Sequence, residues 1–143
     1  RKDTGISEEF IEELLLTQKD DKYAFSLLAL LFPNLDYKNN DFHKDHLHPA
    51  AKFKDLSEDL QEKHGWHTYN SLKNLQMLDA NENMSKNDES LANWVSKETK
   101  SKERVSFLEN HHIPDVDLKL ENFDEYIVQR TAILTSCLKK VLA

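Results

Sequence analysis

Glycine and proline are scarce in this sequence, which has two glycines and three prolines among its 143 residues. A β-sandwich or β-barrel needs many tight turns, and such turns draw heavily on these two residue types. The scarcity therefore excludes a turn-rich all-β architecture and predicts a mainly α-helical fold. The length corresponds to about one domain, so we expect residues 1–143 to form a single domain with its own core.

Cysteine is nearly absent as well, since Cys137 is the only one. A single thiol excludes an internal disulfide, and the lack of a Cys-x-x-Cys pair excludes a thiolate zinc or redox motif. The sequence also lacks an apolar run of about eighteen residues and a basic-then-apolar leader, so it predicts no membrane segment. These absences favour a cytoplasmic protein.

The charge balance restricts nucleic acid as a partner without excluding it. The net charge is −7, whereas phosphate-binding surfaces are usually basic. Between Lys44 and Arg104, ten Lys or Arg stand against eleven Asp or Glu, so this segment carries a charge of only −1. A nucleic-acid site would therefore be local, or supported by another domain.

Hydrophobic periodicity predicts helices along most of the chain. Ser7 supplies a start signal, and Pro33 and Gly65 supply stop signals. One predicted helix is almost wholly apolar on one face, so we expect it to be the central core helix, capped by Asp20 or Asp21. The predicted helices cover residues 7–18, 20–33, 54–65, 89–97, 102–112 and 122–142.

Two short strands and a helix are predicted in the middle of the chain. The stretch FHKDHLH indicates a strand that ends at Pro49, and LKNLQMLD alternates apolar residues as a second strand. Asp79 stands three residues before Glu82, the spacing of a capping box, and this predicts a helix through ANENMSK. The predicted order is strand, strand, helix.

The segment from Asp41 to His48 crowds two aspartates and three histidines into eight positions. Such side chains bind divalent cations and accept protons, whereas a turn requires only Asn, Asp, Gly or Pro. By itself an Asp-His pair fits a polar surface loop. Asn74, on the second strand, and Asn83, on the helix that follows, supply partners nine residues apart.

At these residues the sequence resembles the HNH, or His-Me finger, nucleases. Their ββα unit carries Asp-His on its first strand, Asn at the start of its second, and Asn or His on its helix. More narrowly, the stretches DFHKDHLHP, NSLKNLQMLDANENMSK, NWV and NFDEYIVQR are similar to the HNH-like C-terminal nuclease domain of GmrSD-type restriction endonucleases. The similarity runs from about Phe25 to the C-terminus, and its specific motifs lie between residues 42 and 95. It implies a mainly α fold with an embedded small ββα-metal unit at about residues 42–87.

The resemblance also assigns roles to individual residues. It implies that His46 is the general base, and that Asp45 and Asn83 bind Mg²⁺ or Mn²⁺ through oxygen atoms. Asn74 would hold the hairpin and orient the histidine as part of the catalytic set. Lys86, about one helical turn beyond Asn83, would contact a DNA phosphate.

His43 and His48 leave an alternative open. They would either support the site from neighbouring positions or join His46 in a structural zinc site, which His64 or His67 could complete. Zinc is the less favoured cofactor, because closed zinc sites with such spacing usually recruit thiolates or a later histidine pair, and Cys137 lies far along the chain.

We therefore expect a metal-dependent DNA endonuclease or nicking domain, and the resemblance implies that it acts in restriction of phage or modified DNA in a bacterium. Because the chain begins with Arg1, we expect it to be the C-terminal fragment of a longer protein. The resemblance implies that an N-terminal nucleotide-hydrolysing or sensor domain of the full-length protein is its partner. The alternatives are a catalytically silent interaction or regulatory module of the same fold, and the structural zinc module.

Overall fold

The computed structural model describes residues 7–143 of the chain. Helices dominate, as the sequence predicts, and the two strands form a small antiparallel sheet. Short 3₁₀ turns cover Ala50–Asp55, Leu72–Asn74 and Leu120–Asn122. The main elements, in chain order, are α1 (Glu8–Leu15), α2 (Ala24–Leu31), β1 (Phe42–His46), α3 (Glu58–Tyr69), β2 (Leu75–Asp79), α4 (Ala80–Lys86), α5 (Leu91–Glu98), α6 (Arg104–Asn110) and α7 (Phe123–Leu142).

Side chains cap several helix starts where the sequence predicts them. Ser7 accepts a hydrogen bond from the backbone N–H of Phe10 at the start of α1. Asp79 and Glu82 form the complete capping box of α4. The helix predicted over residues 20–33 is present as α2, but the predicted cap at Asp20 or Asp21 is wrong, because α2 begins at Ala24 without a side-chain cap.

Helix α3 breaks at Gly65 and then resumes. Gly65 has a φ of 69°, in the left-handed region that glycine tolerates best. The sequence predicts a helix end at this position, but the next four residues form another helical turn. This extra turn ends at the buried Tyr69 and delivers Asn70 beside β1.

Strand β2 separates two hydrophobic clusters. Leu75 and Met77 pack with α1, α2 and the C-terminal half of α7, while Leu78 packs with α5, α6 and the start of α7. This alternation follows from the two-residue period of a strand. The register pairs Asp45 with Gln76 and His46 with Leu75, so Asp45 and His46 belong to opposite faces of the sheet.

Arg130 connects α7 to the turn that precedes β2. Its side chain is fully buried. It donates hydrogen bonds of 2.9–3.3 Å to four backbone carbonyls, those of Leu72, Lys73, His111 and His112. Buried charges are tolerated only when they are paired or fully hydrogen-bonded, and these carbonyls meet that requirement.

Within 7–143, no helix combines the length and the apolar character needed to cross a bilayer.

Candidate functional site

A cleft of about 470 Å³ lies along β1 and brings together four of the residues singled out by the sequence, His43, Asp45, His46 and Asn83. Asp45 and His46 come from the end of β1, and Asn83 comes from α4. Within residues 7–143, strand β1 is paired only with β2, so its other edge is available to the cleft. The full lining is Lys19, His43, Lys44, Asp45, His46, Pro49, Ala50, Asn83, Asn87 and Asp88.

The carboxylate of Asp45 is held by one of its two oxygens. Oδ2 accepts a hydrogen bond of 2.9 Å from Nε2 of Gln76 and lies 3.2 Å from Nζ of Lys86. Within residues 7–143, Oδ1 has no hydrogen-bond partner, and it is not among the buried unpaired atoms. Oδ1 is therefore the oxygen that is open to the cleft.

Lys86 is not where the sequence reasoning expects it. Its side chain is buried, and Nζ contacts Oδ2 of Asp45 and donates a hydrogen bond of 3.0 Å to the carbonyl of His46. Burial lowers the pKa of Lys86, and the charge of Asp45 opposes that effect. The expected DNA phosphate contact is therefore wrong, because the residue three positions after Asn83 faces the sheet instead of solvent.

Lys19 is a cation of the cleft that the sequence did not single out. It lies in the loop between α1 and α2, is half-buried, and makes no ion pair within the described part of the chain. Its charge is near enough to His46 to help lower the pKa of that histidine. No local motif marks it, because its position depends on how the loop packs against β1.

The imidazole of His46 is largely buried, with 8% of its surface exposed. Nε2 lies 2.8 Å from Oδ1 of Asn70, and the ring lies beside those of Trp66 and Tyr69. Burial lowers the pKa of His46, although the bond to Asn70 opposes this. The ring is therefore mostly neutral at pH 7. Nδ1 has no partner within residues 7–143 and is not a buried unpaired atom, so it is open to solvent.

Asn74 is fully buried and uses its whole side-chain amide. Oδ1 accepts from the N–H of His48 and from the hydroxyl of Tyr126, while Nδ2 donates to the carbonyls of His48 and Tyr69. Asn74 thus holds the chain where it leaves β1. It does not contact the ring of His46, which is oriented by Asn70, a residue that the sequence reasoning missed.

His43 and His48 separate in the structure. His43 is exposed and lines the cleft, whereas His48 is 2% exposed and packs edge-on against Tyr126, with ring centroids 4.5 Å apart. Burial lowers the pKa of His48 to about 3. His48 supports the site through its backbone, as a partner of Asn74.

The histidines of the zinc alternative do not assemble. His64 pairs with Asp124 at 2.7 Å, and His46 bonds to Asn70. Across residues 7–143, no group of three or more His, Cys, Asp or Glu side chains is placed to hold a metal ion. A closed zinc site with three such ligands is therefore not formed by these residues.

A different donor set remains in the cleft. Oδ1 of Asp45 is open, and the half-buried side chain of Asn83 has no partner within the described residues. A carboxylate oxygen and an amide oxygen are hard ligands, which suit Mg²⁺ or Mn²⁺ ions that keep several waters. Two protein oxygens on an open cleft fit such an ion and are too few for a closed structural site.

Comparisons with known proteins add no family to this picture. No protein-family model matches the chain, and no curated protein matches it. The functional interpretation therefore rests on the geometry of the cleft and on the chemistry of its residues.

Proposed function

We propose that the chain is a metal-dependent DNA endonuclease or nicking domain, built on a ββα unit of the HNH or His-Me finger type at residues 42–87. The observation that carries this proposal is that Asp45, His46 and Asn83 share one cleft. Each of the three offers an atom without a protein partner in the described residues: a carboxylate oxygen, an imidazole nitrogen and an amide oxygen.

His46 acts as the general base. Its pKa is lowered, chiefly by burial, so the ring is neutral and able to accept a proton at pH 7. Nδ1 takes a proton from a water whose oxygen attacks the phosphorus. The bond from phosphorus to the leaving sugar oxygen then breaks, and that oxygen takes up a proton from a second water molecule of the open cleft.

Asp45 and Asn83 hold the divalent cation. When bound there, Mg²⁺ or Mn²⁺ supplies positive charge that stabilises the phosphate and the leaving oxygen. Lys86 and Gln76 fix Oδ2 of Asp45, so they direct Oδ1 to the cleft and keep the carboxylate from rotating.

Lys19 takes the phosphate contact that the sequence reasoning gave to Lys86. It lines the cleft and has no carboxylate partner within residues 7–143. A lysine at the edge of such a cleft attracts the DNA backbone without reading its sequence. With neutral histidines, the charged cleft residues Lys19, Lys44, Asp45 and Asp88 sum to zero, so the site is less repulsive to DNA than the chain as a whole.

The wider biological setting extends the same proposal. The domain acts in restriction of phage or modified DNA in a bacterium, and DNA is its substrate. A nucleotide-hydrolysing or sensor domain, placed N-terminally in the full-length protein, is its partner. The support for this setting is the similarity of the motifs between residues 42 and 95 to GmrSD-type restriction endonucleases.

One contact favours a second function, a catalytically silent interaction or regulatory module. Lys86 already neutralises the carboxylate of Asp45, at 3.2 Å, so a cation at this site must act beside an existing positive charge. If that competition prevents metal binding, the cleft retains its shape but cannot hydrolyse phosphodiester bonds. A plasmid-nicking assay separates the two functions.

Supercoiled plasmid incubated with the protein and Mn²⁺ or Mg²⁺ tests the nuclease. We expect conversion to nicked circles, and a loss of about 10²-fold to 10⁴-fold in rate for His46→Ala, which removes the base. His43→Ala is the matched control, because His43 lines the same cleft but is exposed and carries no role in the proposal. Absence of nicking by the wild type, or equal nicking by folded His46→Ala, would leave the silent module as the better account.

A further inference from the structure

A chain of side-chain amides leads from backbone carbonyls to the ring of His46. Its first member, Gln18, lies just beyond α1, and its Nε2 donates to the carbonyl of Leu16 at 2.9 Å and of His67 at 2.7 Å. A carbonyl oxygen only accepts hydrogen bonds, so the amide nitrogen must be the atom that faces both carbonyls. The reversed amide would place an oxygen against two oxygens. The orientation of Gln18 is therefore fixed by the backbone.

The second member of the chain is Asn70. Because Nε2 of Gln18 faces the backbone, its Oε1 faces Asn70 and accepts from Nδ2 of that residue at 3.1 Å. Oδ1 of Asn70 is then the atom directed at His46, 2.8 Å from Nε2. An amide oxygen has no proton to donate, so Nε2 of His46 must carry the hydrogen of this bond.

The tautomer of His46 follows from this order of donors and acceptors. A neutral imidazole has one N–H and one lone pair, so a hydrogen on Nε2 leaves the lone pair on Nδ1. Nδ1 is the nitrogen without a partner within residues 7–143 that is open to solvent. The lone pair therefore lies on the side of the ring where a reacting water can reach it.

We propose that Gln18 and Asn70 are positioning residues that hold His46 as the Nε2–H tautomer and leave its Nδ1 lone pair to the cleft. The catalytic use of this arrangement rests on the proposed function, whereas the arrangement itself does not. Gln18 is not among the residues that line the cleft, and within residues 7–143 its side chain makes no hydrogen bond to His46, so the bond to Asn70 connects it to the ring.

Backbone contacts join the segment after α1 to the segment before β2. They keep Gln18, Asn70 and His46, which we call the relay, in their relative positions. Gln18 and Ser71 form an isolated β-bridge. The N–H of Lys19 donates to the carbonyl of Asn70, and the N–H of Leu72 donates to the carbonyl of Thr17, both at 3.0 Å. The segment after α1 is thus part of the site, although it lies outside residues 42–87. A fragment restricted to the ββα unit would lose this control of the tautomer.

The tautomer can be read directly from long-range ¹H–¹⁵N correlation spectra of the protein without metal or DNA, at about pH 8.5, where imidazoles are neutral. We expect His46 to show a protonated Nε2 and an unprotonated Nδ1, with the Nε2 proton slow to exchange. Exposed His43, in the same spectrum, provides the reference for a ring that exchanges freely with water. A proton on Nδ1 of His46 in the wild type would overturn the proposal before any variant is made.

Three variants separate positioning from packing. Gln18→Met keeps the length of the side chain but frees the amide of Asn70 to rotate, so the nitrogen shifts of His46 should move toward a mixture of tautomers. In Gln18→Met/Asn70→Asp, either carboxylate oxygen accepts from Nε2, so the Nε2–H form should return without Gln18. A purely structural role for Gln18 predicts no such rescue. Asn70→Asp alone should retain the wild-type tautomer.

The same variants link the relay to catalysis. In the plasmid assay we expect Gln18→Met to lower the maximal rate about tenfold to hundredfold at an unchanged half-saturating Mn²⁺ concentration, since removal of a supporting contact typically has this size. If no variant and no wild type nicks DNA, the proposed function fails while the spectra still decide the tautomer. If the wild type nicks DNA and Gln18→Met leaves both the spectrum and the rate unchanged, the relay is wrong.

Discussion

The side-chain amide of Asn74 holds the backbone of His48 at both of its polar groups. Oδ1 accepts from the N–H and Nδ2 donates to the carbonyl, each at 3.0 Å. These bonds fix the point where the chain leaves β1, two residues beyond His46. Asn74 directly precedes β2, so the two bonds tie the end of β1, where His46 lies, to the buried start of β2.

Asn74→Asp should therefore unfold more easily than the wild type. The change removes both side-chain donors and places a negative charge against the carbonyls of His48 and Tyr69. We expect a loss of about 3 kcal/mol or more in the free energy of unfolding, measured with urea at pH 7. Asn83→Asp is the matched control, and it should stay within about 0.5 kcal/mol because its amide has no partner to lose within residues 7–143. Equal losses in the two variants would show that the bonds of Asn74 contribute little.

Arg130→Lys tests the four hydrogen bonds by which Arg130 connects α7 to the backbone at Leu72, Lys73, His111 and His112. A lysine has one ammonium group in place of the five-donor guanidinium, so it leaves some of the four carbonyls without a donor. We expect a loss of about 2–4 kcal/mol in the free energy of unfolding. Arg104→Lys makes the same chemical change in an exposed pair with Asp115 and should cost less than about 1 kcal/mol. If the hydrogen bonds of Arg130 contribute little, both variants should show the same small loss in the free energy of unfolding.

The stability of the protein should fall as the pH falls below about 6.5, the ordinary pKa of histidine. Burial, with the charges of Arg130 and Lys102 and the neighbouring His112, lowers the pKa of His111 to about 4. Between these values the unfolded chain binds a proton that the native protein does not, so acid favours unfolding. His111 contributes up to about 2 kcal/mol of this loss between about pH 7.5 and 5.

His111→Asn should make this decline shallower. In the wild type, Nδ1 of His111 lies 2.7 Å from Oε1 of Gln76. The amide nitrogen of asparagine can replace Nδ1 as the donor of this hydrogen bond, but it does not titrate. Free energies of unfolding measured at about pH 7.5 and 5 give the slope for each protein. His43→Asn is the matched control, because it makes the same replacement at an exposed position. A decline in His111→Asn as steep as in the wild type would contradict the assignment.

The sheet and its following helix could be predicted because their signals are local. Alternating apolar residues specify β2, and the spacing of Asp79 and Glu82 specifies the start of α4. The break at Gly65 is also local, since it depends on the left-handed φ of one residue. The extra helical turn after Gly65 was missed, because its stability comes from the packing of Tyr69 in the core.

The finer parts of the site could not be predicted, because they depend on contacts between distant segments. Lys86 looks like a solvated lysine in the sequence, and only the approach of β1 to α4 brings Asp45 to its ammonium group. Lys19 lies in a loop without a motif, and Asn70 begins the stretch NSLKNLQMLDANENMSK but receives no role from the resemblance. Their roles follow from the pairing of the segment after α1 with the residues before β2.

The most direct test of the central claim is the Mn²⁺ dependence of plasmid nicking by the wild type, His46→Ala and Asn83→Ala. Asn83 is the better ligand to change, because removal of Asp45 would leave Lys86 as an unpaired buried charge. We predict that Asn83→Ala raises the half-saturating Mn²⁺ concentration about tenfold or more, a size typical of weakened metal sites. His46→Ala should instead lower the maximal rate about 10²-fold or more while leaving that concentration nearly unchanged. No nicking by the wild type at any Mn²⁺ concentration, or identical Mn²⁺ curves for the three proteins, would contradict the account.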